Sequence, residues 1–351
     1  MWWGVGKIFS NDVGIDLGTS NTLVYVKGHG IVLDEPSIVA INQKTGRVVA
    51  VGNDANQMIG RTPAHIQAIR PLIGGVISNY EVAEEMLSYF LKKTASLIGS
   101  NIFRPRVVVG VPSSITNVER RAVRDAATAA GARMVHIIEE PMAAAIGINM
   151  PIFDPVGNMI IDIGGGTTDI AVISLGGVVK SKSLLIAGEK FNQDIINYVR
   201  DEFKILLGER TAEEVKVNIG AVAKQTSNNN EATVRGRDMV TGLPREVAIT
   251  DADVREAIFT SFNIFVDAVK EVLESTPPEV VSDIMRRGVV LSGGGALIRG
   301  LDEVLAKELE VPVHLAEDPL TSVVRGTGVI LDDIERYRDL LIDNEEELTP
   351  R

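Results

Sequence analysis

A short motif rich in aspartate, glycine and threonine occurs twice in this chain and constrains its fold more than any other feature. The first copy is Asp16-Leu17-Gly18-Thr19-Ser20-Asn21-Thr22, and the second is Asp162-Ile163-Gly164-Gly165-Gly166-Thr167-Thr168-Asp169. The copies lie 146 residues apart, and each follows an apolar stretch and precedes a β-rich one. Each copy therefore predicts a β-hairpin with a tight turn. The repeat predicts two related lobes.

Length and composition bound the class of protein. A chain of 351 residues suits two domains, at roughly 150 residues per domain. Hydrophobic residues make up 45% and charged residues 23%, which is typical of a globular protein. The net charge of -12 argues against a nucleic-acid partner, which would need a concentrated basic surface. The chain contains no cysteine, which excludes disulfides and thiolate metal sites and fits a reducing cytoplasm.

Two further sequence patterns bear on location. The chain has no uninterrupted apolar run of about 18 residues, so we expect no transmembrane helix. Its first ten residues lack the long apolar centre and the cleavage site of a signal peptide, which disfavours secretion.

Strand and helix patterns are mixed along the chain, which predicts an α/β fold. Between the two motifs we predict a buried strand over 107–112 and a helix capped by Asn117 that runs through Ala130. After the second motif we predict helices at 189–207, 211–226 and 251–274, and a β-rich segment at 230–250.

Segments 34–75 and 187–250 each resemble an insertion in one lobe, because the repeated unit resumes after them. Four subdomains result, which we label IA, IB, IIA and IIB. The predicted organisation is an N-terminal segment 1–10, subdomain IA at 11–33 and 76–145, IB at 34–75, IIA at 146–186 and 251–340, IIB at 187–250, and an acidic tail at 341–351.

Both turns have the composition of a phosphate-binding loop. Glycine lets backbone N–H groups approach a phosphate closely, and hydroxyl and amide side chains add further donors. A single glycine-rich turn is more often structural, but its occurrence twice favours ligand binding. The predicted phosphate contacts are Gly18, Thr19, Ser20 and Asn21 in the first turn and Gly164, Gly165, Gly166 and Thr167 in the second.

Asp16 and Asp162 occupy matching positions at the ends of strands. Carboxylates are hard oxygen ligands, so we predict that these two hold Mg²⁺ through its retained waters. Neither turn is a P-loop or a dinucleotide fingerprint, because the required glycine and lysine spacings are missing.

A third glycine cluster, Gly293-Gly294-Gly295-Ala296, follows a predicted strand at 288–291. Its bare backbone could admit a flat base or a ribose. Alternatively, it is only a tight turn between a strand and a helix.

The chain resembles the superfamily of actin, sugar-kinase and heat-shock-chaperone ATPases. The resemblance lies in these three turns and in the segment Glu139-Glu140-Pro141-Met142-Ala143-Ala144-Ala145-Ile146-Gly147. Within this superfamily the chain resembles the MreB family of bacterial actins from about residue 11 to 340, including Arg61-Thr62-Pro63 and Glu119-Arg120-Arg121-Ala122. The resemblance implies an actin-like ATPase fold with two ribonuclease H-like lobes and the nucleotide in the cleft between them.

The same resemblance implies a function. Members of the family bind ATP and Mg²⁺ and polymerise into filaments on the inner face of the cytoplasmic membrane. There they work with membrane-bound proteins of the elongation complex to organise peptidoglycan synthesis and maintain cell shape. We therefore expect a cytoplasmic protein that is peripheral to the membrane, with copies of itself as its main partner.

Residue roles also follow from the resemblance. Glu140 corresponds to the catalytic carboxylate that orients or activates the attacking water, and Thr167 helps to place that water. Alternatively, Glu140 only caps the following helix. Glu213 and Lys216 correspond to contacts with ribose or adenine. Many relatives have arginine where this chain has Glu214, so the local charge differs.

Two segments are candidates for membrane contact. Ile102 and Phe103 stand beside arginines in a polar segment, and MreB-like proteins insert such a loop into the bilayer. Trp2 and Trp3 provide a second signal, since indole rings partition into membrane interfaces. In both cases the alternative is that the side chains pack against their own protein.

Two other functions occur on this fold. A chaperone-type ATPase would need a substrate-binding region after the ATPase part, and only a short acidic segment follows residue 340. A sugar kinase would need a catalytic aspartate in the substrate cleft, and the sequence offers no convincing candidate. The filament-forming ATPase is therefore the favoured reading.

Overall fold

The computed structural model describes residues 12–99, 104–224 and 230–342. Trp2, Trp3, Ile102 and Phe103, which carry the predicted membrane contacts, lie outside the described residues, as does most of the acidic tail. Within the described ranges, none of the helices combines the length and the apolar character needed to cross a bilayer.

The first half of the chain alternates strands with short and medium helices. Its strands are β1 Val13–Leu17, β2 Asn21–Val26, β3 Gly30–Pro36, β4 Val39–Asn42, β5 Arg47–Val51, β6 Ile66–Ile69, β7 Leu72–Ile73, β8 Val76–Ile77, β9 Arg106–Val111 and β10 Met134–Glu139. Its helices are α1 Asn53–Met58, α2 Tyr80–Leu97, α3 Asn117–Ala129 and α4 Glu140–Gly147.

The second half contains the longer helices. Its strands are β11 Asn158–Ile163, β12 Thr168–Ser174, β13 Gly177–Leu184, β14 Ile205–Leu206, β15 Glu231–Asp238, β16 Pro244–Thr250, β17 Val289–Ser292 and β18 Val313–Leu315. Its helices are α5 Gly188–Tyr198, α6 Glu209–Ile219, α7 Asp251–Glu274, α8 Pro278–Arg287, α9 Leu301–Leu309 and α10 Ser322–Asp332. A π-helical turn covers Val199–Phe203, and 3₁₀ turns cover Gly294–Leu297 and Arg338–Leu340.

The chain forms two compact units. The first contains the described residues up to 154 together with 175–178 and 320–342, and the second contains 155–174 and the described residues of 179–319.

A mixed five-stranded sheet is the centre of the first unit, with strand order β10-β9-β1-β2-β3. β1 and β2 are antiparallel neighbours, whereas β1, β9 and β10 run parallel. β9 contains Val107, Val108 and Val109, all buried, as expected of a strand covered on both faces. α10 packs closely on α4, because the backbone of Gly326 approaches that of Ala143.

The second unit repeats this arrangement with strand order β13-β12-β11-β17-β18. β11 pairs antiparallel with β12 and parallel with β17, as β1 does with β2 and β9. The registers also match, since Asp16 stands opposite Leu23 and Asp162 stands opposite Asp169, each partner 146 residues further on. The prediction of two related lobes, each with a β-hairpin at the repeated motif, is confirmed.

Each unit also carries a small three-stranded sheet, and β7 and β8 form a further two-stranded sheet in the first unit. The three-stranded sheet has the strand order β5-β4-β6 in the first unit and β14-β15-β16 in the second. The three-stranded sheets fall within the predicted segments 34–75 and 187–250. The subdomain boundaries themselves stay a prediction, and α10 makes its contacts within the first unit although it falls inside predicted subdomain IIA.

Most predicted helices are present, with differences at their ends. The helix over 251–274 is confirmed to the residue. Asn117 as a helix cap is wrong: Thr116 is the cap of α3 and forms a capping box with Glu119, because its hydroxyl accepts the Glu119 N–H. The helix predicted over 189–207 ends at Tyr198, where the backbone widens into the π-helical turn. The helix predicted over 211–226 is α6, which is shorter and ends at Ile219.

Candidate functional site

The first candidate phosphate turn joins β1 to β2. A Cβ on Gly18 would lie 2.6 Å from the carbonyl oxygen of Asn21, so the turn is too tight for any side chain there. None of the glycines Gly18, Gly164, Gly165 and Gly166 has a positive φ. At Gly18, glycine is therefore needed for close approach and not for a left-handed backbone.

Three neighbouring side chains brace this turn. The hydroxyl of the buried Thr19 accepts a hydrogen bond from the Gly75 N–H at 2.8 Å. The Ser37 hydroxyl donates to the Gly18 carbonyl at 2.6 Å and lies 2.8 Å from the Thr22 hydroxyl. Sequence reasoning missed Ser37 and Gly75, because they lie outside the motif and reach it only through the fold.

Two more predicted phosphate ligands have contacts inside the first unit. The exposed Asn21 side chain donates to Asp34 at 2.7 Å, and the Ser20 carbonyl accepts the Ser37 N–H at 2.9 Å. The Asn21 amide thus already has one acceptor within the first unit.

The second candidate phosphate turn joins β11 to β12 and is anchored to the start of α5. The Gly164 N–H donates to Thr167 O at 2.9 Å, which closes the turn. The first N–H groups of α5, from Gly188 and Glu189, donate to the carbonyls of Gly164 and Gly165 at 3.1 and 2.8 Å. These bonds fix the turn at a helix N-terminus, a place that favours anions.

Asp162 lies at the end of β11 with its carboxyl group buried. Its Oδ1 has no hydrogen-bond partner among the described residues. Burial raises the pKa of Asp162 to about 7, against a lowering by the Ser292 hydrogen bond and a further rise from the charge of Asp169. A cation beside this group would favour its charged form, because opposite charge opposes the effect of burial.

The residues at Asp162 fit a hydrated Mg²⁺. Among the described residues, no group of three or more His, Cys, Asp or Glu side chains is arranged as a metal site. Mg²⁺ does not require such a group, because it keeps several waters and takes only one or two carboxylates together with phosphate oxygens. The buried Oδ1 of Asp162 is a suitable acceptor for one of those waters.

Glu140 is the first residue of α4 and is buried. It passes over Gly110 of β9, where an added Cβ would lie 3.5 Å from the Glu140 Cγ. Asp16 is the β1 partner of the same glycine. The fold therefore brings Asp16 and Glu140 to the same end of the sheet, on either side of Gly110, which the sequence did not single out.

The alternative role of Glu140 as a helix cap is wrong. The cap position of α4 belongs to Glu139, whose side chain makes no capping hydrogen bond. Glu139 instead accepts a hydrogen bond from the Ser113 hydroxyl at 3.0 Å. Burial raises the pKa of Glu139, while Ser113 and the charge of Arg120 lower it.

Glu213 and Lys216 lie on α6 beside the second turn. The Lys216 Nζ donates to Gly188 O at 3.0 Å and to Glu213 at 2.8 Å, and the Asn192 amide donates to Glu213 at 2.6 Å. Only 9% of the Lys216 side chain is exposed. A Cβ on Gly188 would lie 3.1 Å from the Lys216 Nζ and 3.5 Å from Gly164 O, so the ammonium group lies near the turn.

The third glycine cluster packs against the end of β11. Gly293 has a φ of 81°, and a Cβ there would lie 2.4 Å from Ile163 O. A Cβ on Gly295 would lie 2.2 Å from the Ile163 Cγ2. Gly294 is exposed and Ala296 is buried in a 3₁₀ turn, and α9 begins only at Leu301. Both glycines are thus required for packing.

Within each unit, then, the fold gathers the predicted residues. The first unit brings together Asp16, Glu140 and the turn at Gly18. The second brings Asp162, the turn at Gly164 and the Gly293 cluster to the end of β11, with Lys216 close to the turn.

Comparison with known proteins identifies the relatives of this chain. A family model described as "MreB/Mbl protein" matches residues 10–339. The cell shape-determining protein Mbl of Bacillus subtilis is 51% identical over 330 residues, which cover 94% of this chain and 98% of that protein. The cell shape-determining protein MreB of Escherichia coli is 51% identical over 345 residues, covering 96% and 98%.

Solved structures agree with the sequence comparison. MreB5 of Spiroplasma citri bound to ADP has a TM-score of 0.88 at 39% identity, with 94% of this chain and 98% of that chain covered. A structure described as a MamK double helical filament has a TM-score of 0.78 at 23% identity, which supports the fold alone. The expected actin-like α/β ATPase fold is confirmed. The chain belongs to the MreB/Mbl family.

Proposed function

We propose that this chain is an ATP-binding cytoskeletal protein that polymerises into membrane-associated filaments, hydrolyses ATP and helps to determine cell shape. The observation that carries the proposal is the pair of phosphate turns in matching register within a member of the MreB/Mbl family. Support comes from relatives named cell shape-determining proteins and from MreB5 structures bound to ADP and to AMPPNP.

In this proposal the two turns bind the phosphates of one nucleotide. Backbone N–H groups of Gly18 and of Gly164 to Gly166 supply donors, and Asp16 and Asp162 hold the waters of Mg²⁺. Bound Mg²⁺ supplies positive charge that balances the transferred phosphoryl group. The Gly293 to Ala296 turn and the side chains of Glu213 and Lys216 contact the nucleoside.

Glu140 and Thr167 orient the water that attacks the γ-phosphate. A general base must lie within one hydrogen bond of the water, and a carboxylate is a suitable group for this role. The Glu140 carboxylate is also buried. We expect Glu140→Ala to bind ATP like the parent while the barrier to phosphate release rises by roughly 2–4 kcal/mol. Glu139→Gln is the control, and we expect it to have a smaller effect. Equal loss of binding and turnover in Glu140→Ala would contradict the assigned role.

Filament formation is tested by sedimentation and electron microscopy of the parent protein with ATP on lipid vesicles. We expect filaments with ATP and Mg²⁺ and none when EDTA removes the metal. Soluble monomers at every protein concentration would exclude the filament function.

Membrane contact through the N-terminal tryptophans and through Ile102 and Phe103 is part of the proposal. A single weak anchor binds marginally, but a filament repeats the anchor in every subunit. Liposome flotation of Trp2→Ala/Trp3→Ala and of Ile102→Ser/Phe103→Ser measures each contribution. If both variants float like the parent, neither segment is the anchor. Elongation-complex proteins of wall synthesis are the further partners that this role requires.

A further inference from the structure

The last described residue, Ile342, is fixed beside α3. Its N–H donates to Ile137 O on the edge strand β10 at 2.8 Å, and its side chain packs against the hydrophobic core of the first unit. The Arg124 guanidinium of α3 donates to Ile342 O at 3.0 Å. The chain therefore continues into Asp343 directly next to an arginine of this helix.

α3 carries an excess of positive charge in an acidic protein. Its three arginines, Arg120, Arg121 and Arg124, outnumber its two carboxylates, Glu119 and Asp125, whereas the whole chain has a net charge of -12. Residues three and four positions apart are neighbours on a helix surface, so Arg120 and Arg121 both lie one turn from Arg124. The three arginines thus form one cationic patch, which we call the arginine patch.

The arginine patch has donors available for further carboxylates. Arg121 lies 3.7 Å from Asp125, and 75% of the Arg121 side chain is exposed. The Arg120 Nε has no hydrogen-bond partner among the described residues, and the charge of Arg120 attracts that of Glu139. The Glu119 carboxylate is engaged in the capping box of α3. Because each guanidinium group has five N–H donors, these contacts leave several of them for another acceptor.

The residues that follow Ile342 complement the arginine patch. We define the acidic segment as residues 343–347, Asp343-Asn344-Glu345-Glu346-Glu347, which contain four carboxylates and no cation. An extended chain spans about 3.3 Å per residue, so five residues reach roughly 17 Å. Arg120 and Arg124 are only about 6 Å apart along the helix axis, at a rise of about 1.5 Å per residue. The acidic segment is therefore long enough to lie across the whole patch.

We propose that the acidic segment docks on the arginine patch of its own chain and covers this face of α3. Carboxylates and guanidinium groups form strong, charge-assisted hydrogen bonds. A segment attached at Ile342 has an effective concentration on the order of mM at the patch, which a separate partner rarely reaches. An acidic partner or an anionic lipid headgroup must therefore displace the segment before it can bind these arginines. The contact lies within the first unit and requires neither nucleotide nor filament.

The first test traps the docked segment with a disulfide. The chain has no cysteine, so Leu348→Cys can be paired with Asn117→Cys, an exposed position beside the arginine patch. The matched control pairs Leu348→Cys with Thr128→Cys, which is exposed on the same helix beyond the other end of the patch. Thr128 is about 6 Å from Arg124 along the helix and Asn117 about 10 Å, so a segment that does not dock would favour Thr128.

The rate of disulfide formation with oxidised glutathione, measured on dilute protein, is the readout. We expect the Asn117 pair to form its intramolecular disulfide about fivefold faster than the Thr128 pair, or more, since several exposed ion pairs together favour docking by about that factor. An Asn117 rate no higher than the Thr128 rate would overturn the proposal. Disulfides that form only between two chains would overturn it as well.

The second test removes the charges on either side. Glu345→Gln/Glu346→Gln/Glu347→Gln, which changes none of the described residues, should make the two disulfide rates similar, and so should Arg120→Gln/Arg121→Gln. NaCl at about 1 M should have the same effect, because the Debye length falls to about 3 Å. If the preference survives in both charge variants, ion pairing does not hold the segment and the proposal is wrong.

Flotation on phosphatidylglycerol vesicles tests lipid as the other occupant. If the acidic segment covers the patch, neutralising the segment should increase binding to these vesicles, and Arg120→Gln/Arg121→Gln should cancel the increase. If instead Arg120→Gln/Arg121→Gln weakens flotation of the chain with its acidic segment intact, and the disulfide rates show no preference, the arginine patch binds lipid and the proposal is overturned.

Discussion

Asp162 and Asp169 stand directly opposite each other on the antiparallel strands β11 and β12, and both are buried. Directly opposed residues of a sheet project from the same face, so the two carboxyl groups share one enclosed space. Two like charges in such a place repel each other, which favours protonation of one carboxyl group or a cation nearby. A cation bound beside Asp162, as proposed above, would relieve this repulsion and favour the charged form of both groups.

Removing the charge of Asp162 should affect the response to Mg²⁺ but not the stability of the nucleotide-free protein. We expect Asp162→Asn to leave the nucleotide-free protein at least as stable as the parent. The additional thermal stability that Mg²⁺ gives to the ATP-bound protein should be lost, because a ligand stabilises the folded protein only if the folded protein binds it. Melting curves with ATP and either Mg²⁺ or EDTA measure both effects. Asp302→Asn, on the exposed start of α9, is the control. A parent-like response of Asp162→Asn to Mg²⁺ would argue against a metal role.

Gly110 approaches Val323 closely and also contacts Glu140, so a methyl group there should push against Val323 first and could shift Glu140 only through that strain. In Gly110→Ala the Cβ would lie 2.9 Å from the Val323 Cγ1 and 3.5 Å from the Glu140 Cγ. We expect a loss of about 1–3 kcal/mol in the free energy of unfolding, as is usual for overpacking. Phosphate release should fall more than ATP affinity. Adding Val323→Ala should restore part of both, and an absence of any rescue would place the strain elsewhere.

α4 and α10 approach each other through glycine backbones, which leaves no flexible group to move aside. A Cβ on Gly326 would lie 1.8 Å from Ala143 O, and one on Gly147 would lie 2.0 Å from Ser322 O. We expect Gly326→Ala to lower the free energy of unfolding by at least about 3 kcal/mol, because overpacking against backbone can be relieved only by separating the helices. Gly208→Ala is the control, since nothing lies within 4 Å of its added Cβ. Urea unfolding followed by circular dichroism compares the two, and similar losses would contradict this account.

Lys216 is the cation nearest to the second turn on α6, and its loss should weaken nucleotide binding. Lys216→Met keeps the aliphatic stem but removes the hydrogen bond to Gly188 O. We expect the dissociation constant of ATP to rise about tenfold, the scale of one hydrogen bond from a charged group. Arg210→Ala on the same helix should bind like the parent, because Arg210 pairs with Glu214 on the exposed side. Titration with a fluorescent ATP analogue measures the difference. Equal affinities for both variants would exclude the proposed role of Lys216.

The capping box of α3 gives a prediction with a pH dependence. Thr116→Ala should cost about 1 kcal/mol of stability at pH 7, the usual value for a lost cap. The Thr116 hydroxyl, and then its backbone N–H, lower the pKa of Glu119. A lowered carboxyl pKa contributes stability above the unfolded pKa, and this contribution disappears as the pH falls. The difference between parent and Thr116→Ala in urea unfolding should therefore shrink below about pH 4. Thr128→Ala on the same helix should show no such trend.

Much of the fold could be predicted because it depends on local patterns. The hairpins at Asp16 and Asp162 follow from apolar stretches that flank glycine-rich turns, and the start of α7 at Asp251 follows from Thr250 and Asp253, which form a capping box. Prediction failed at one helix start because two adjacent residues are both suitable caps, and at one helix end because the sequence carries no signal. Thr116 and Asn117 are both good caps, and nothing in the sequence near Tyr198 marks the change from α-helix to π-helix.

The sequence by itself determined the repeated turns, their acidic partners and the chemistry of phosphate and Mg²⁺ that they suit. Only the tertiary structure decided that Ser37 and Gly75 brace the first turn, that Gly110 lies beneath Glu140 and that the first N–H groups of α5 anchor the second turn. These contacts could not be predicted because hydrophobic periodicity indicates whether a residue is buried, but not which distant residue it packs against. Close contacts such as that of Gly326 with Ala143 exist only after the chain has folded.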